Sequence, residues 1–193
     1  MSDGCDFGAS AAIGRRVQSK ARHYNFAMRN SPTRLAELRR LLVLDSMPER
    51  DFDNITRLLA ATLNVPIAII NLLDEQRDWF KSRVGLSQTE SPAATSICEV
   101  FFHAAEDLIV VEDTLLDPRF RAHPLVVGGP CIRFYASARL ALGSHTMGTL
   151  CAYDLKPQQP SEHQVLQLQS LATAVVALLQ KRAEAAAAPA PAL

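Results

Sequence analysis

Apolar residues recur at helical spacing near both ends of the chain and indicate terminal helices. The first stripe is formed by Leu35, Leu38, Leu41 and Leu42, and the second, after Pro48 and Glu49, by Phe52, Ile55, Leu58, Leu59 and Leu63. Pro48 suits the first turn of a helix, where its missing N–H would have no intrahelical partner. The last stripe is formed by Leu166, Leu168, Leu171, Val175, Val176 and Leu179. It predicts a long helix from about Ser161 to Ala183.

The middle of the chain has the shorter period of β-strands. Strands are predicted over 66–74 (PIAIINLLD), 77–84 (RDWFKSRV) and 108–113 (LIVVED). The first run is dense in β-branched residues, which predicts a strand buried on both faces. Ser96 is placed to cap a short helix that contains Cys98 and Phe102. Helices at both ends with antiparallel strands between them predict an α+β fold.

The segment from Ile132 to Asp154 is predicted to be a hairpin with one polar face. Gly143 and Ser144 suit a two-residue turn, which pairs Leu142 with His145 and fixes the register. In a regular register, one face carries Phe134, Ala136, Ala138 and Leu140 with Met147, Thr149, Cys151 and Tyr153. That face is expected to be an apolar wall under the terminal helices, with Cys151 as a small buried hydrophobe. The other face carries Arg133, Tyr135, Ser137 and Arg139, opposite Asp154, Ala152, Leu150 and Gly148.

Two interpretations of this polar face remain open. Arg133 and Asp154 could form a structural ion pair across the strands. Alternatively, the donors of Arg133, Tyr135 and Ser137 line a binding pocket, because small residues across the hairpin leave space beside the ladder.

Composition restricts the classes of partner. The chain has 193 residues, with 20 basic and 20 acidic side chains, so no excess charge favours a nucleic acid or a membrane surface. An acid-free N-terminal segment carries Arg15, Arg16, Lys20, Arg22, Arg29 and Arg34. We interpret it as a solvated arm. No apolar run approaches the length of a transmembrane helix and no signal core is present, which favours a cytoplasmic location.

The expected organisation is a flexible basic arm over residues 1–33, one folded domain over 34–183 and a disordered Ala/Pro tail over 184–193. The cysteines Cys5, Cys98, Cys131 and Cys151 form no C-x-x-C pair, and the five histidines have no metal-ligand spacing. The sequence therefore predicts reduced thiols, no metal site and no cofactor.

Several longer motifs resemble those of a known family. They are RLAELRRLLVLDSMPERDFD, VPIAIINLLDEQRDWFKSRVGL, SIC, DPRFRAHPLV, IRFYASARL and GTLCAYD, in this order over about 34–180. The chain resembles a GAF domain, the small-molecule-sensing module of bacterial signalling proteins, of the subgroup found beside histidine kinases and diguanylate cyclases. The resemblance implies a central antiparallel sheet of five or six strands, with the terminal helices on one face. A short helix and loops would cover a ligand pocket on the other face.

The resemblance also implies, by position, which residues bind the ligand. The pocket wall would contain Arg133, Tyr135 and Ser137, its lid Ser96, Cys98 and Phe102, and the crossover after the third strand would add Asp113 and Phe120. Trp79 and Phe80 could belong either to the pocket or to the core. Val100 stands where the family usually has a histidine, and Cys98 is followed by Glu99, which argues against a covalent bilin. The signature of cyclic-nucleotide-binding GAF domains is absent.

These features predict a small-molecule-binding regulatory module that is not an enzyme. With no output domain in sight, it would signal through a partner protein or as a homodimer joined by its terminal helices. The alternative is a GAF-type free methionine sulfoxide reductase that uses Cys98 and Cys131 as its thiols. The spacing between Cys131 and Arg133 differs from the pattern of that family. Thiol-dependent turnover of free methionine sulfoxide would discriminate the two.

Overall fold

The computed structural model describes residues 29–187. Its helices are α1 (Pro32–Arg40), α2 (Arg50–Leu63), α3 (Pro124–Val127) and α4 (Glu162–Ala187), and its strands are β1 (Ile67–Leu73), β2 (Arg77–Val84), β3 (Glu90–Pro92), β4 (Leu108–Val111), β5 (Phe134–Leu142) and β6 (His145–Asp154). Two 3₁₀-helices, Ala93–Thr95 and Ile97–Phe102, follow β3, and we call the second one the lid. Cys5 and the basic residues Arg15, Arg16, Lys20 and Arg22 lie outside the described residues, as do residues 188–193 of the predicted tail.

The strands form one antiparallel sheet of six strands, in the order β3-β2-β1-β6-β5-β4. The predicted α+β fold with an antiparallel sheet is therefore confirmed. Every residue of β1 after Ile67 is buried, as its dense apolar sequence predicts. The short edge strand β3 was not predicted, because three residues are too few to show a period.

The second helix begins two residues later than its sequence pattern predicts. Its first residue is Arg50, so Pro48 lies before the helix and not in its first turn. Asp51 and Asp53 occupy that turn, where their charge complements the helix dipole. The helix ends at Leu63 and is capped by Asn64, which adopts the left-handed conformation (φ 52°) of a common C-cap.

The helices α2 and α4 cover one side of the sheet, which we call the helix face. On α4, the side chains of Leu168, Val175 and Leu179 are fully buried in this core, and each contributes about 1.5–3 kcal/mol to folding. Leu166, on another side of the same helix, is 56% exposed. The helix continues to Ala187, beyond the end that the apolar stripe predicts. Among residues 29–187, no helix has the length and apolar character needed to cross a membrane.

The hairpin between β5 and β6 turns as predicted but then changes register. Leu142 pairs with His145, as the two-residue turn requires. Closer to the sheet centre, however, Leu140 pairs with Gly148 and not with Met147, because a β-bulge intervenes. Met147 is the extra residue, and its side chain is buried in the helix face.

The bulge exchanges the faces that were assigned to β6. A shift of one residue moves every later side chain to the other side of the sheet. Cys151 therefore stands opposite Ser137, and Tyr153 opposite Tyr135. The predicted apolar wall that joins Cys151 to Ala136 is wrong.

Gly148 does not leave room for a ligand, contrary to the pocket interpretation of the hairpin. A Cβ atom at this position would lie 2.1 Å from the main-chain oxygen of Asn71 in β1. The glycine is needed because two central strands approach each other closely here. Thr149, and not Gly148, pairs with Arg139.

Candidate functional site

The side of the sheet opposite the helices, which we call the lid face, has a second core. It is formed by Ile69, Leu73, Phe80, Ile97, Cys98, Phe101, Phe102, Ile109, Val111, Phe120, Val126, Ile132, Tyr135, Cys151 and Tyr153. The lid and the crossover from β4 to β5 supply the residues that cover the strands. Phe80 thus belongs to the lid face, whereas Trp79 belongs to the core of the helix face.

A group of thiols and hydroxyls lies at the centre of the lid face, and we call it the thiol cluster. It consists of Cys98, Tyr135, Ser137, Thr149, Cys151 and Tyr153. The Sγ atoms of Cys98 and Cys151 are 3.4 Å apart. The Thr149 hydroxyl lies 3.3 Å from Cys98 Sγ and 2.9 Å from Cys151 Sγ.

The other hydroxyls of the cluster also end on sulfur. Ser137 Oγ is 3.3 Å from Cys151 Sγ, and the hydroxyls of Tyr135 and Tyr153 are each 3.5 Å from Cys98 Sγ. All of these side chains are buried. Each hydroxyl thus has a sulfur neighbour, which is a weak hydrogen-bond partner.

The two thiols differ in acidity. Burial raises the pKa of Cys98, but the hydrogen bonds from Cys151, Thr149 and Tyr135 outweigh burial and bring it down to about 7. Burial and the neighbouring Cys98 raise the pKa of Cys151 well above its ordinary value. Burial also raises the pKa of Tyr135. Cys98 is therefore the group of the cluster that ionises first.

Aromatic rings form one wall beside the cluster. The rings of Tyr135 and Tyr153 are stacked with their centroids 5.3 Å apart. Phe120 meets the ring of Tyr135 edge-on at 5.4 Å. The crossover residue and the strand residues of the predicted site are therefore in contact.

Arg133 and Asp113 form a bidentate ion pair at the rim of the lid face. The distances are 2.9 Å from Nε to Oδ1 and 2.6 Å from Nη2 to Oδ2. Burial raises the pKa of Asp113, but the hydrogen bonds from Arg133 and from the N–H of Leu115 bring it below its ordinary value. The predicted ion pair of Arg133 with Asp154 is wrong. The bulge places Phe134 opposite Asp154, whose carboxylate accepts a hydrogen bond from Gln158.

A buried carboxylate joins the lid to the N-terminal segment. Asp78 accepts hydrogen bonds from Arg29 Nη2 (2.5 Å), Ser96 Oγ (2.5 Å) and Asn71 Nδ2 (3.0 Å). Arg29 also donates from Nε to the carboxylate of Glu99 on the lid. The sequence predicts that Ser96 caps the lid helix. In the structure it does not, because its hydroxyl is bound to Asp78 instead.

The N-terminal arginines are buried where a solvated arm was expected. Arg34 of α1 is fully buried and Arg29 nearly so. Both guanidinium groups lie over the ring of Phe102, at 5.3 Å and 5.7 Å from its centroid. Arg34 also bonds the main-chain oxygens of Arg29 and Thr146. These contacts connect α1 directly to the lid.

A third arginine holds the end of the lid. Arg139 donates from Nη1 to the carbonyl oxygen of Phe101 (2.6 Å), and from Nη2 to those of Ala104 (2.7 Å) and Glu106 (3.0 Å). The same Nη1 donates to the Thr146 hydroxyl. The sequence places Arg139 on the polar ladder of the hairpin, but in the structure it bonds the main chain of the lid and of the loop that follows it.

The structure therefore places most of the predicted residues in three groups on or beside the lid face. Cys98, Tyr135 and Ser137 meet in the thiol cluster, Ser96 and Phe102 belong to the arginine contacts, and Asp113 and Arg133 form the rim. Two open grooves, of about 290 and 430 Å³, lie elsewhere on the surface. In the first, Lys81 is already bound to Ser46, Met47 and Glu49. Among residues 29–187, no group of three or more His, Cys, Asp or Glu side chains is arranged to hold a metal ion.

The thiol in contact with Cys98 is not the one that the reductase hypothesis names. That hypothesis pairs Cys98 with Cys131, which lies half-buried just before Ile132 with a φ of 61°. The structure places Cys151 against Cys98 instead. Sequence reasoning missed this pair because the bulge that turns Cys151 to the lid face has no local signal.

Comparison with known proteins identifies the family. The sequence model of the GAF domain family matches residues 48–179 of this chain. The chain belongs to the GAF domain family. It is 36% identical over 147 residues to a cyclic di-GMP phosphodiesterase of Pseudomonas aeruginosa, a match that covers 75% of this chain and 25% of that enzyme. The chain thus spans about a quarter of the length of this curated relative.

Solved structures of GAF domains share the fold. The GAF domain of an Acinetobacter phosphoenolpyruvate-protein phosphotransferase superimposes with a TM-score of 0.58, at 21% identity, over 82% of this chain and 98% of that chain. Free methionine-R-sulfoxide reductase from Neisseria meningitidis gives a TM-score of 0.53 at 19% identity, over 91% of this chain and 96% of that chain. The resemblance to a GAF domain that the motifs indicate is confirmed by the family match. The solved structures support the architecture alone.

Proposed function

We propose that this GAF domain is a sensory module that binds a small molecule on its lid face and acts in bacterial signal transduction. The observation that carries the proposal is the thiol cluster. A buried hydroxyl without a good partner costs about 1–3 kcal/mol. In the thiol cluster, the hydroxyls of Tyr135, Ser137 and Thr149 have only the weak hydrogen-bond partner sulfur in the contacts described above. A core built for stability alone would use phenylalanine, alanine and valine at these positions.

The chemistry of the cluster defines the class of ligand. Oxygen or nitrogen acceptors would replace sulfur as partners of the hydroxyls. A flat ring would match the stacked rings of Tyr135 and Tyr153 and the edge of Phe120. A negatively charged group would meet Arg133 at the rim, in competition with Asp113. The ligand we propose is therefore a small, flat, polar molecule.

Ligand entry requires the lid to move, and this supplies a route for the signal. Phe102 of the lid carries the guanidinium groups of Arg29 and Arg34 on its ring. A ligand that displaces the lid would disturb the attachment of α1. A signal passes only if the ligand binds the two arrangements of lid and helix with different affinities.

Binding can be tested by screening flat polar metabolites against the reduced protein with ligand-observed NMR. For a ligand of the lid face, Tyr135→Phe and Ser137→Ala should each weaken binding by about threefold to tenfold, the value of one hydrogen bond. Arg133→Ala should weaken a charged ligand by about tenfold or more. Ser170→Ala on the exposed side of α4 is the matched control. Equal affinity of wild type, Tyr135→Phe and Ser137→Ala for every ligand would show that the pocket lies elsewhere.

The reductase alternative names Cys98 and Cys131 as its thiols, whereas Cys151 is the thiol in contact with Cys98. We propose no turnover, because the two thiols that this hypothesis names are not the two in contact, and a fold likeness to reductases at 19% identity supports the architecture alone. The test is consumption of free methionine sulfoxide with a thiol reductant. Turnover that disappears in Cys98→Ser would establish the enzyme and replace the proposal.

We propose that signalling involves a homodimer joined through the terminal helices. The support is the exposure of Leu166 on α4 (56%) and Leu58 on α2 (50%), because large exposed apolar residues on one layer favour association. Leu179 and Val175 of the same helix are fully buried in the monomer and therefore take no part in such a contact. Leu166→Glu with Leu58→Glu should give a folded monomer by sedimentation. A wild-type protein that is monomeric at tens of micromolar would contradict the dimer.

A further inference from the structure

We propose that Cys98 and Cys151 are an oxidation site, whose disulfide fastens the lid to the sheet. Cys98 lies on the lid and Cys151 on the central strand β6, so one covalent bond would join the moving part to the fixed part. The inference rests on the proposed function, because the disulfide would control access to the same ligand site.

The distance between the two sulfur atoms allows this bond to form. The sulfur atoms are 3.4 Å apart, so they must approach by about 1.4 Å to reach the length of a disulfide. A small displacement of the lid supplies such a movement more easily than a displacement of β6, because β6 pairs with a strand on each side. The two residues are 53 positions apart, so the bond would close a long loop containing β4, α3 and β5.

The environment assigns different roles to the two thiols. Cys98 ionises first, since its hydrogen bonds bring its pKa to about 7 against the effect of burial. Burial and the charge on Cys98 keep the pKa of Cys151 high. Cys98 is thus the nucleophile towards an oxidant, and Cys151 is the thiol that resolves the product.

The oxidant is a peroxide, and the reaction balances with it alone. The Cys98 thiolate attacks one peroxide oxygen, the O–O bond breaks, and hydroxide leaves while Cys98 becomes a sulfenic acid. Cys151 sulfur then attacks the sulfenic sulfur, the S–O bond breaks, and the thiol proton of Cys151 leaves with the oxygen as water. With hydrogen peroxide, two thiols give one disulfide and two waters.

Access to the thiols couples oxidation to lid movement. Both sulfurs are fully buried, so a peroxide reaches them only when the lid opens. Once formed, the disulfide prevents that opening. The reduced protein is then the form that admits a ligand, and the oxidised protein is closed to it.

The test uses the full chain with Cys5→Ser and Cys131→Ser, which leaves Cys98 and Cys151 as its thiols. Treatment with hydrogen peroxide should lower the intact mass by two hydrogens and give a non-reducing peptide map with Cys98 joined to Cys151. Amide hydrogen exchange of the lid should slow by about tenfold or more, since a locked segment opens less often. Dithiothreitol should restore the original exchange. Peptide mapping of the unsubstituted protein provides the same readout if the double variant does not fold.

The matched control adds Cys151→Ser. Peroxide should then leave Cys98 as a sulfenic acid that dimedone traps, with no change in lid exchange. In the protein that retains both thiols, the proposal is overturned if peroxide gives no linked peptide, whether Cys98 is converted to oxygen acids or is left unreacted. A linked peptide with unchanged lid exchange also overturns it. Ligand binding is measured on the reduced protein, so a reduced protein that binds a ligand but forms no disulfide refutes this inference alone. A disulfide in a protein that binds nothing refutes the proposed function alone.

Discussion

The two faces of the sheet are both buried, yet they are built from different chemistry. The helix face is a continuous apolar core in which Leu168, Val175 and Leu179 of α4 pack on the strands. The lid face has a comparable apolar layer, but thiols and hydroxyls lie at its centre and an ion pair lies at its rim. The helix face is therefore explained by stability alone, whereas the lid face includes polar groups that stability does not require.

The difference extends to how each face is closed. The helices cover their face with long, regular elements, and α4 alone has 26 residues. The lid has six residues in a 3₁₀-helix. Arg29 donates to the side-chain carboxylate of Glu99, and Arg139 donates to the carbonyl oxygen of Phe101. Polar attachments of this kind can exchange with water when the segment opens, so the lid face is the one that can open locally.

The largest expected effect is a charge placed in the helix face. Leu179→Glu should abolish folding or destabilise the protein by more than about 4 kcal/mol, because the carboxylate would be buried without a partner. The control Ala174→Glu, at an exposed position of the same helix, should change the free energy of unfolding by less than about 0.5 kcal/mol. Urea denaturation measures both. A folded, stable Leu179→Glu variant would mean that α4 is not packed on the sheet as described.

The next effect concerns the glycine that lets the central strands approach. Gly148→Ala should cost about 1–3 kcal/mol of stability, since the new Cβ would lie 2.1 Å from the main-chain oxygen of Asn71 and the strands must shift. Gly129→Ala is the matched control, because nothing lies within 4 Å of its Cβ position. Thermal melting distinguishes them. Equal melting temperatures would argue against the bulged register of β6.

The ion pair at the rim should give the lid face a dependence on acid. The pKa of Asp113 is below its ordinary value in the folded protein, so the pair stabilises fully above the unfolded pKa. That stability is lost as the pH falls through the folded pKa, in the range below about 4. Asp113→Asn should remove this part of the acid-induced loss, which is measured by unfolding at pH 7 and pH 3. An unchanged difference between the two pH values would show that the pair contributes nothing.

The smallest expected effect on stability comes from removing one buried hydroxyl from each face of the sheet. Thr149→Val removes a hydroxyl that rests on sulfur, so the free energy of unfolding should change by less than about 1 kcal/mol. The pKa of Cys98 should rise, because it loses a hydrogen bond that lowers it. Thr56→Val in α2, which loses a bond to the Phe52 carbonyl, is the control on the helix face and should leave the pKa unchanged. The pH dependence of thiol labelling reports the pKa of Cys98 in both variants, and urea denaturation reports their free energies of unfolding.

The sequence predicts the helix face well, because its helices and buried strand repeat at regular periods. Of the candidate site, the motifs place Cys98, Tyr135 and Ser137 on the same face, and the structure joins them. The register of β6 could not be predicted, since a bulge depends on how β1 approaches and not on the turn beside it. The contact between Arg29 and Asp78 was also missed, because 49 residues separate the partners and neither has a distinctive neighbour.

Native-state hydrogen exchange of the reduced, ligand-free protein tests the central claim most directly. The account predicts that the lid amides of Ile97–Phe102 exchange through local opening, at a free energy clearly below that of global unfolding. The amides of β5 and β6 that are hydrogen-bonded to neighbouring strands should exchange only through global unfolding. Lid amides as protected as those of the central strands would contradict an opening ligand site on this face.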